Sequence, residues 1–134
     1  MRKKLLAASV FVLLAFGATN IFAQKAQRIT FKRGAKQAVA TGNLYSYKGK
    51  KVFVIRVRRG QTLTTAQIRS NSSNRYISVS ITAPNGEDVS DSDASCNDRK
   101  EVTPTEAGDY RIEVYECMKA DQWRGSFRLK IRVQ

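Results

Sequence analysis

From Phe127 to Val133 the chain alternates apolar side chains and cations without a break: Phe127, Leu129, Ile131 and Val133 against Arg128, Lys130 and Arg132. A period of two is the pattern of a strand with one buried and one solvated face. The same period recurs upstream, and no segment beyond the N-terminal leader shows a helical one. Residues 28–31 form a short candidate strand, and residues 38–44 form a second. Residues 52–57 are rich in β-branched side chains and read as a strong strand. The turn Arg58-Arg59-Gly60-Gln61 is expected to fold residues 62–68 back onto them as a hairpin. After a polar loop, 69–75, residues 76–81 alternate cleanly, and Pro84-Asn85-Gly86 has the chemistry of a turn. Residues 87–101 are polar and irregular, and residues 110–115 precede the closing strand. Seven to eight short strands with frequent turns predict a single antiparallel β-sandwich, jelly-roll-like, with a barrel as the alternative.

On that reading the cations of the closing strand are its wet face. Residues 110–117 are the expected hairpin partner, with Arg111, Glu113 and Tyr115 outward, so that Glu113 offsets one cation across the ladder. The stripe then contributes a diffuse field.

The start of the chain predicts the compartment. Arg2, Lys3 and Lys4 precede an apolar run over residues 5–16, and residues 17–23 are polar and small, ending in Ala23. This is the shape of a secretory signal peptide cleaved after Ala23. The apolar run is too short to span a membrane, which takes roughly 20 apolar residues. Residues 1–23 are therefore read as a signal peptide and residues 24–134 as the sandwich domain, in an exported protein, periplasmic or secreted.

Charge and cysteines follow from that compartment. The chain has a formal net charge of +13, and removing the three leader cations leaves +10. Such a field favours acidic partners, with nucleic acid not expected outside the cell. Cys96 and Cys117 are the two cysteines and are expected to form a disulfide.

Chemistry is harder to find. The chain has no histidine, which removes the usual Ser-His and Cys-His nucleophile systems and the commonest metal ligand. Glu113 and Glu116 lie three apart on a strand, on opposite faces, and cannot flank one glycosidic bond. No glycine-rich phosphate loop is present. The acidic stretch 87–95 fits calcium poorly: with Asp91 opening an EF-hand loop, Cys96 stands where Gly is needed and Val102 where the final Glu is needed. Asn71-Ser72-Ser73 matches a glycosylation sequon, which would mean little were the chain bacterial, as its Lys-rich leader suggests. These readings give no enzyme, no cofactor and no metal.

Two loops combine rings with cations. One is Leu44-Tyr45-Ser46-Tyr47-Lys48-Gly49. The other is Met118-Lys119-Ala120-Asp121-Gln122-Trp123-Arg124-Gly125, which holds the only tryptophan. Tyr, Trp and Arg are the side chains most enriched at binding hot spots, and sandwich end loops are free to carry recognition. Folding of Trp123 back onto the sandwich edge is the alternative for that ring.

Longer stretches carry a family resemblance. They are Thr30-Phe31-Lys32-Arg33-Gly34; Ala40-Thr41-Gly42-Asn43-Leu44-Tyr45-Ser46-Tyr47; Lys51 to Gln61, ending Arg-Gly-Gln; Ala83-Pro84-Asn85-Gly86; and Thr103-Pro104-Thr105-Glu106-Ala107-Gly108-Asp109-Tyr110. With these the chain resembles the bacterial periplasmic inhibitors of goose-type lysozyme. More broadly it is similar to the bacterial pre-peptidase C-terminal β-sandwich. The resemblance implies a non-enzymatic protein whose loops plug the active-site cleft of a muramidase. It places Tyr47 in the matching aromatic loop and Lys119 and Arg124 in the matching hairpin loop; with Tyr45 and Trp123 from the loop composition, these are the expected partner-binding residues, Tyr47 and Arg124 as anchors. The alternative is a sandwich module that binds an anionic glycan or envelope polymer through its basic field.

Overall fold

The structure, a computed structural model, describes residues 25–69, 75–90 and 96–134. The leader 1–23, the sequon at Asn71 and residues 91–95 of the acidic stretch lie outside the described residues.

Eight strands form two four-stranded sheets: β1 (Gln27–Ile29), β2 (Gln37–Leu44), β3 (Lys50–Val57), β4 (Leu63–Gln67), β5 (Ile77–Thr82), β6 (Lys100–Val102), β7 (Gly108–Glu116) and β8 (Gly125–Val133). One sheet runs β1-β3-β7-β5 and the other β2-β8-β4-β6. The expected all-β sandwich is therefore present.

Two expectations about pairing are overturned. Every connection passes from one sheet to the other, so no two consecutive strands are paired. β4 does not fold back onto β3; it pairs with β8 and β6. β7 is not the hairpin partner of β8; it pairs with β3 and β5. Alternation fixes which face of a strand is buried and leaves open whether its neighbour in sequence lies beside it or opposite it. Stacked sheets lie about 10 Å apart, a gap that the intervening segments 58–62 and 117–124 readily span. Crossing puts the apolar faces of β7 and β8 in one core between the sheets. The sandwich is also not purely antiparallel, because β1 pairs with β3 in parallel.

The core fills the space between the sheets. Phe127, Leu129, Ile131 and Val133 are buried on β8, as are Tyr110, Ile112 and Val114 on β7. Burying a side chain of this size stabilises the fold by about 1.5–3 kcal/mol. Phe53 of β3 meets Phe127 edge to face across the sheets, with ring centroids 6.2 Å apart. Gly42 of β2 makes room for that pair: a Cβ there would sit 2.7 Å from the Phe127 ring and 2.9 Å from the Lys51 stem.

Glu113 does not serve the cations of β8. It lies on the outer face of the other sheet, bonded to Lys50 at 3.1 Å and to Arg111 at 3.0 Å. Burial pushes its carboxyl up, but hydrogen bonds from Arg111 and Lys50 outweigh that and hold it below its ordinary value.

One end of the sandwich is closed by turn-to-turn hydrogen bonds. Gly60 N–H donates to the Thr105 carbonyl at 2.8 Å, Thr105 Oγ1 donates to the Arg58 carbonyl at 2.6 Å, and Thr62 N–H donates to the Gln134 carbonyl at 2.8 Å. The opposite end carries the candidate site.

Candidate functional site at the loop end

The connections β2–β3 and β7–β8 emerge at the same end, beside the segment that leads into β5. The first turns tightly, with Gly49 N–H donating to the Ser46 carbonyl at 2.9 Å. This turn leaves Tyr45 78% exposed. Tyr47 is half-buried, and its hydroxyl donates to the Met118 carbonyl at 3.3 Å. That bond joins the two loops singled out in the sequence into one surface. Met118 is itself 50% exposed, and Lys119 and Arg124 are exposed around it.

Below this surface the β7–β8 loop is pinned from three sides. Cys117 is bonded to Cys96, with the two Cα atoms 4.6 Å apart, as the cysteine pair predicts. Cys117 N–H also donates to the Tyr76 carbonyl at 3.0 Å, and the same carbonyl accepts the indole N–H of Trp123 at 3.1 Å. The backbone N–H of Trp123 donates to Oε1 of Glu116.

Trp123 is therefore turned back. It is half-buried and packs against the core, where it fixes the loop. The guanidinium of Arg75 lies 5.9 Å from its ring centroid, in the space that Gly125 leaves open; a Cβ at Gly125 would meet that guanidinium at 2.9 Å. Arg69 stacks on Tyr76 in the same way, 4.6 Å from the ring centroid. Both distances are within cation–π range.

Of the sequence-predicted site residues, the structure thus displays Tyr45, Lys119 and Arg124, half-displays Tyr47 and commits Trp123 to the scaffold. Met118, Tyr76, Arg69, Arg75 and Glu116 are part of this end and were not singled out as binding or scaffold residues. For Glu116 the signal existed: continuing the alternation of Tyr110, Ile112 and Val114 puts position 116 on the inward face. An acid in that register marks a buried polar contact.

Chemically, this end is equipped for recognition. Among the described residues no three His, Cys, Asp or Glu side chains gather as a metal site. Exposed rings can fill a groove, and an exposed guanidinium can pair bidentately with a carboxylate.

Two packed four-stranded sheets, tied at one end by backbone hydrogen bonds and carrying aromatic and basic loops at the other, define an all-β sandwich. No protein-family model matches the chain, and no curated protein matches it in sequence. Solved structures do match in fold. The Aeromonas hydrophila PliG, a periplasmic lysozyme inhibitor of g-type lysozyme, superposes with a TM-score of 0.58 at 16% identity, covering 81% of this chain and 96% of that one. Salmonella Typhimurium PliG, described in the same terms, gives 0.57 at 17% identity over 82% and 98%. The pre-peptidase C-terminal domain of Bacillus anthracis collagenase gives 0.50 at 13% identity over 82% and 95%. At these identities the likeness is one of fold. It bears out the resemblance to both groups read from the sequence.

Proposed function

We propose that this chain is an exported, non-enzymatic binding protein that inhibits goose-type lysozyme by seating its loop end in the enzyme's cleft. The observation that carries the reading is the Tyr47–Met118 hydrogen bond at 3.3 Å, which makes one surface of two loops on a fold shared with such inhibitors. On this surface the Tyr45 ring and the exposed edge of Tyr47 enter the sugar-binding groove. Arg124, supported by Lys119, pairs with a carboxylate of the cleft. Trp123 acts from behind, holding the loop that carries both cations. Export is supported by the leader pattern of residues 1–23 and by the disulfide, a bond typical of oxidising compartments. The test is lysis of peptidoglycan by a goose-type and a hen-type lysozyme with the protein added. Inhibition of the goose-type enzyme supports the reading, and no effect on either enzyme removes it.

A further inference from the structure

The outer face of the β2-β8-β4-β6 sheet is built differently from the loop end. β8 is an interior strand of that sheet, and Arg128, Lys130 and Arg132 stand exposed along its whole outer side. Alternate residues of a strand are about 6.8 Å apart, so this row spans roughly 14 Å.

The register makes the row one wall of a groove. Thr64 and Ala66 of β4 lie opposite Arg132 and Lys130, and their short side chains form a low floor. β6 closes the far side, with Glu101 opposite Thr64 and Arg99 just before the strand. A cavity of about 490 Å³ lies over this floor, lined by Arg99, Lys130 and Arg132 among others. Toward the loop end a second depression, of about 300 Å³, is lined by Arg69, Arg75, Ser126 and Arg128. Among the described residues no ion pair involves Arg99, Arg128, Lys130 or Arg132. Among the described residues, Glu101 is the only acid lining either depression.

We propose that this face is a second binding site, which takes a linear acidic polysaccharide lying along β8. Three features select the occupant. A row of like charges roughly 14 Å long is matched by a chain whose anions recur, and a compact anion reaches only part of it. The outward positions of β2 and β4 beside the row offer hydroxyl and amide groups (Gln37, Thr41, Asn43 and Thr64), which suit sugar hydroxyls. The outward positions of β2, β8 and β4 hold no aromatic ring, so the bases of a single-stranded nucleic acid find no stacking platform. The site meets the loop end only at Arg69 and Arg75 and does not rest on the lysozyme reading.

The experiment is affinity electrophoresis of the protein through gels containing alginate, neutral dextran or single-stranded DNA at one salt concentration. Two triple variants remove the same charge: Arg128→Ala/Lys130→Ala/Arg132→Ala from the groove, and Lys25→Ala/Lys32→Ala/Arg33→Ala from exposed positions near the N-terminal strand. Wild type is retarded by alginate and not by dextran. The groove triple loses about tenfold or more in alginate affinity and the other triple less than about twofold, whereas charge acting only as a diffuse field would weaken both alike. Ala66→Glu, which keeps all three cations and puts an acid on the floor, weakens binding as the groove triple does, and it decides the matter if that triple does not fold. Equal weakening by the two triples means a diffuse field and overturns the site. Tighter binding of the DNA than of alginate overturns the occupant.

Discussion

The backbone N–H of Trp123 donates to Oε1 of Glu116, a carboxylate with no exposed surface. Among the described residues its second oxygen, Oε2, has no hydrogen-bond partner. A buried carboxylate held by one donor is costly, yet removing its oxygens strands the donor. The two effects separate on substitution. Glu116→Gln keeps an acceptor for Trp123 and sheds the buried carboxylate, so it should unfold at a midpoint no lower than wild type. Glu116→Ala should lose about 1–3 kcal/mol. Chemical denaturation of the three proteins checks this, and a Gln variant as weak as the Ala variant would count against it.

Cys96 and Cys117 close a loop of 21 residues at the base of the same segment. In the chain-entropy picture that closure stabilises by about 3 kcal/mol. The double Cys→Ser variant should be less stable by about 2–4 kcal/mol. Thiol titration of the unfolded, non-reduced protein should find no free thiol; two per chain would refute the pairing.

Gly42 is the one position in β2 where the opposing Phe127 ring leaves no room for a Cβ. Gly42→Ala should push that ring off its edge-to-face contact with Phe53 and cost about 1–3 kcal/mol, as overpacking does. Unchanged stability would show that the ring yields freely.

Glu113 sets a pH dependence whose sign follows from its lowered pKa. Its hydrogen bonds from Arg111 and Lys50 favour the ionised form in the folded state. The stabilisation is therefore complete above the unfolded value of about 4.3 and is lost as pH falls through the lower, folded value. Asp109, held below its ordinary value chiefly by its hydrogen bond from Arg28, acts in the same direction at the surface. Thermal midpoints from neutral pH downward should fall less steeply in Glu113→Gln than in wild type. Parallel curves would deny Glu113 this role.

The period-two pattern located β2, β3, β4, β5, β7 and β8 because each is long enough to show which face is wet. β6 escaped notice because three residues, Lys-Glu-Val, cannot display a period, and only pairing with β4 makes them a strand. Pairing partners were misjudged for a different reason. The turn at Gly60 and the loop after Cys117 are compatible with a hairpin or with a crossing, and the choice is made by the core that both sheets share, which a local pattern does not display. At the site, the sequence marked the two aromatic and basic loops but not that they meet, since the Tyr47–Met118 bond joins positions 71 residues apart. It could not show that Trp123 spends its indole N–H on the Tyr76 carbonyl, since that contact joins positions 47 residues apart.

On the proposed function, goose-type lysozyme is engaged through the loop end. The most direct measurement is the concentration of protein that halves lysis by goose-type lysozyme, for wild type, Tyr45→Ala, Arg124→Ala and, as a surface cation far from the loops, Arg33→Ala. Wild type should inhibit. Tyr45→Ala and Arg124→Ala should each need about tenfold more protein, in keeping with loss of an interface anchor, while Arg33→Ala matches wild type. No inhibition by the wild-type protein, or inhibition that both loop substitutions leave intact, would contradict the account.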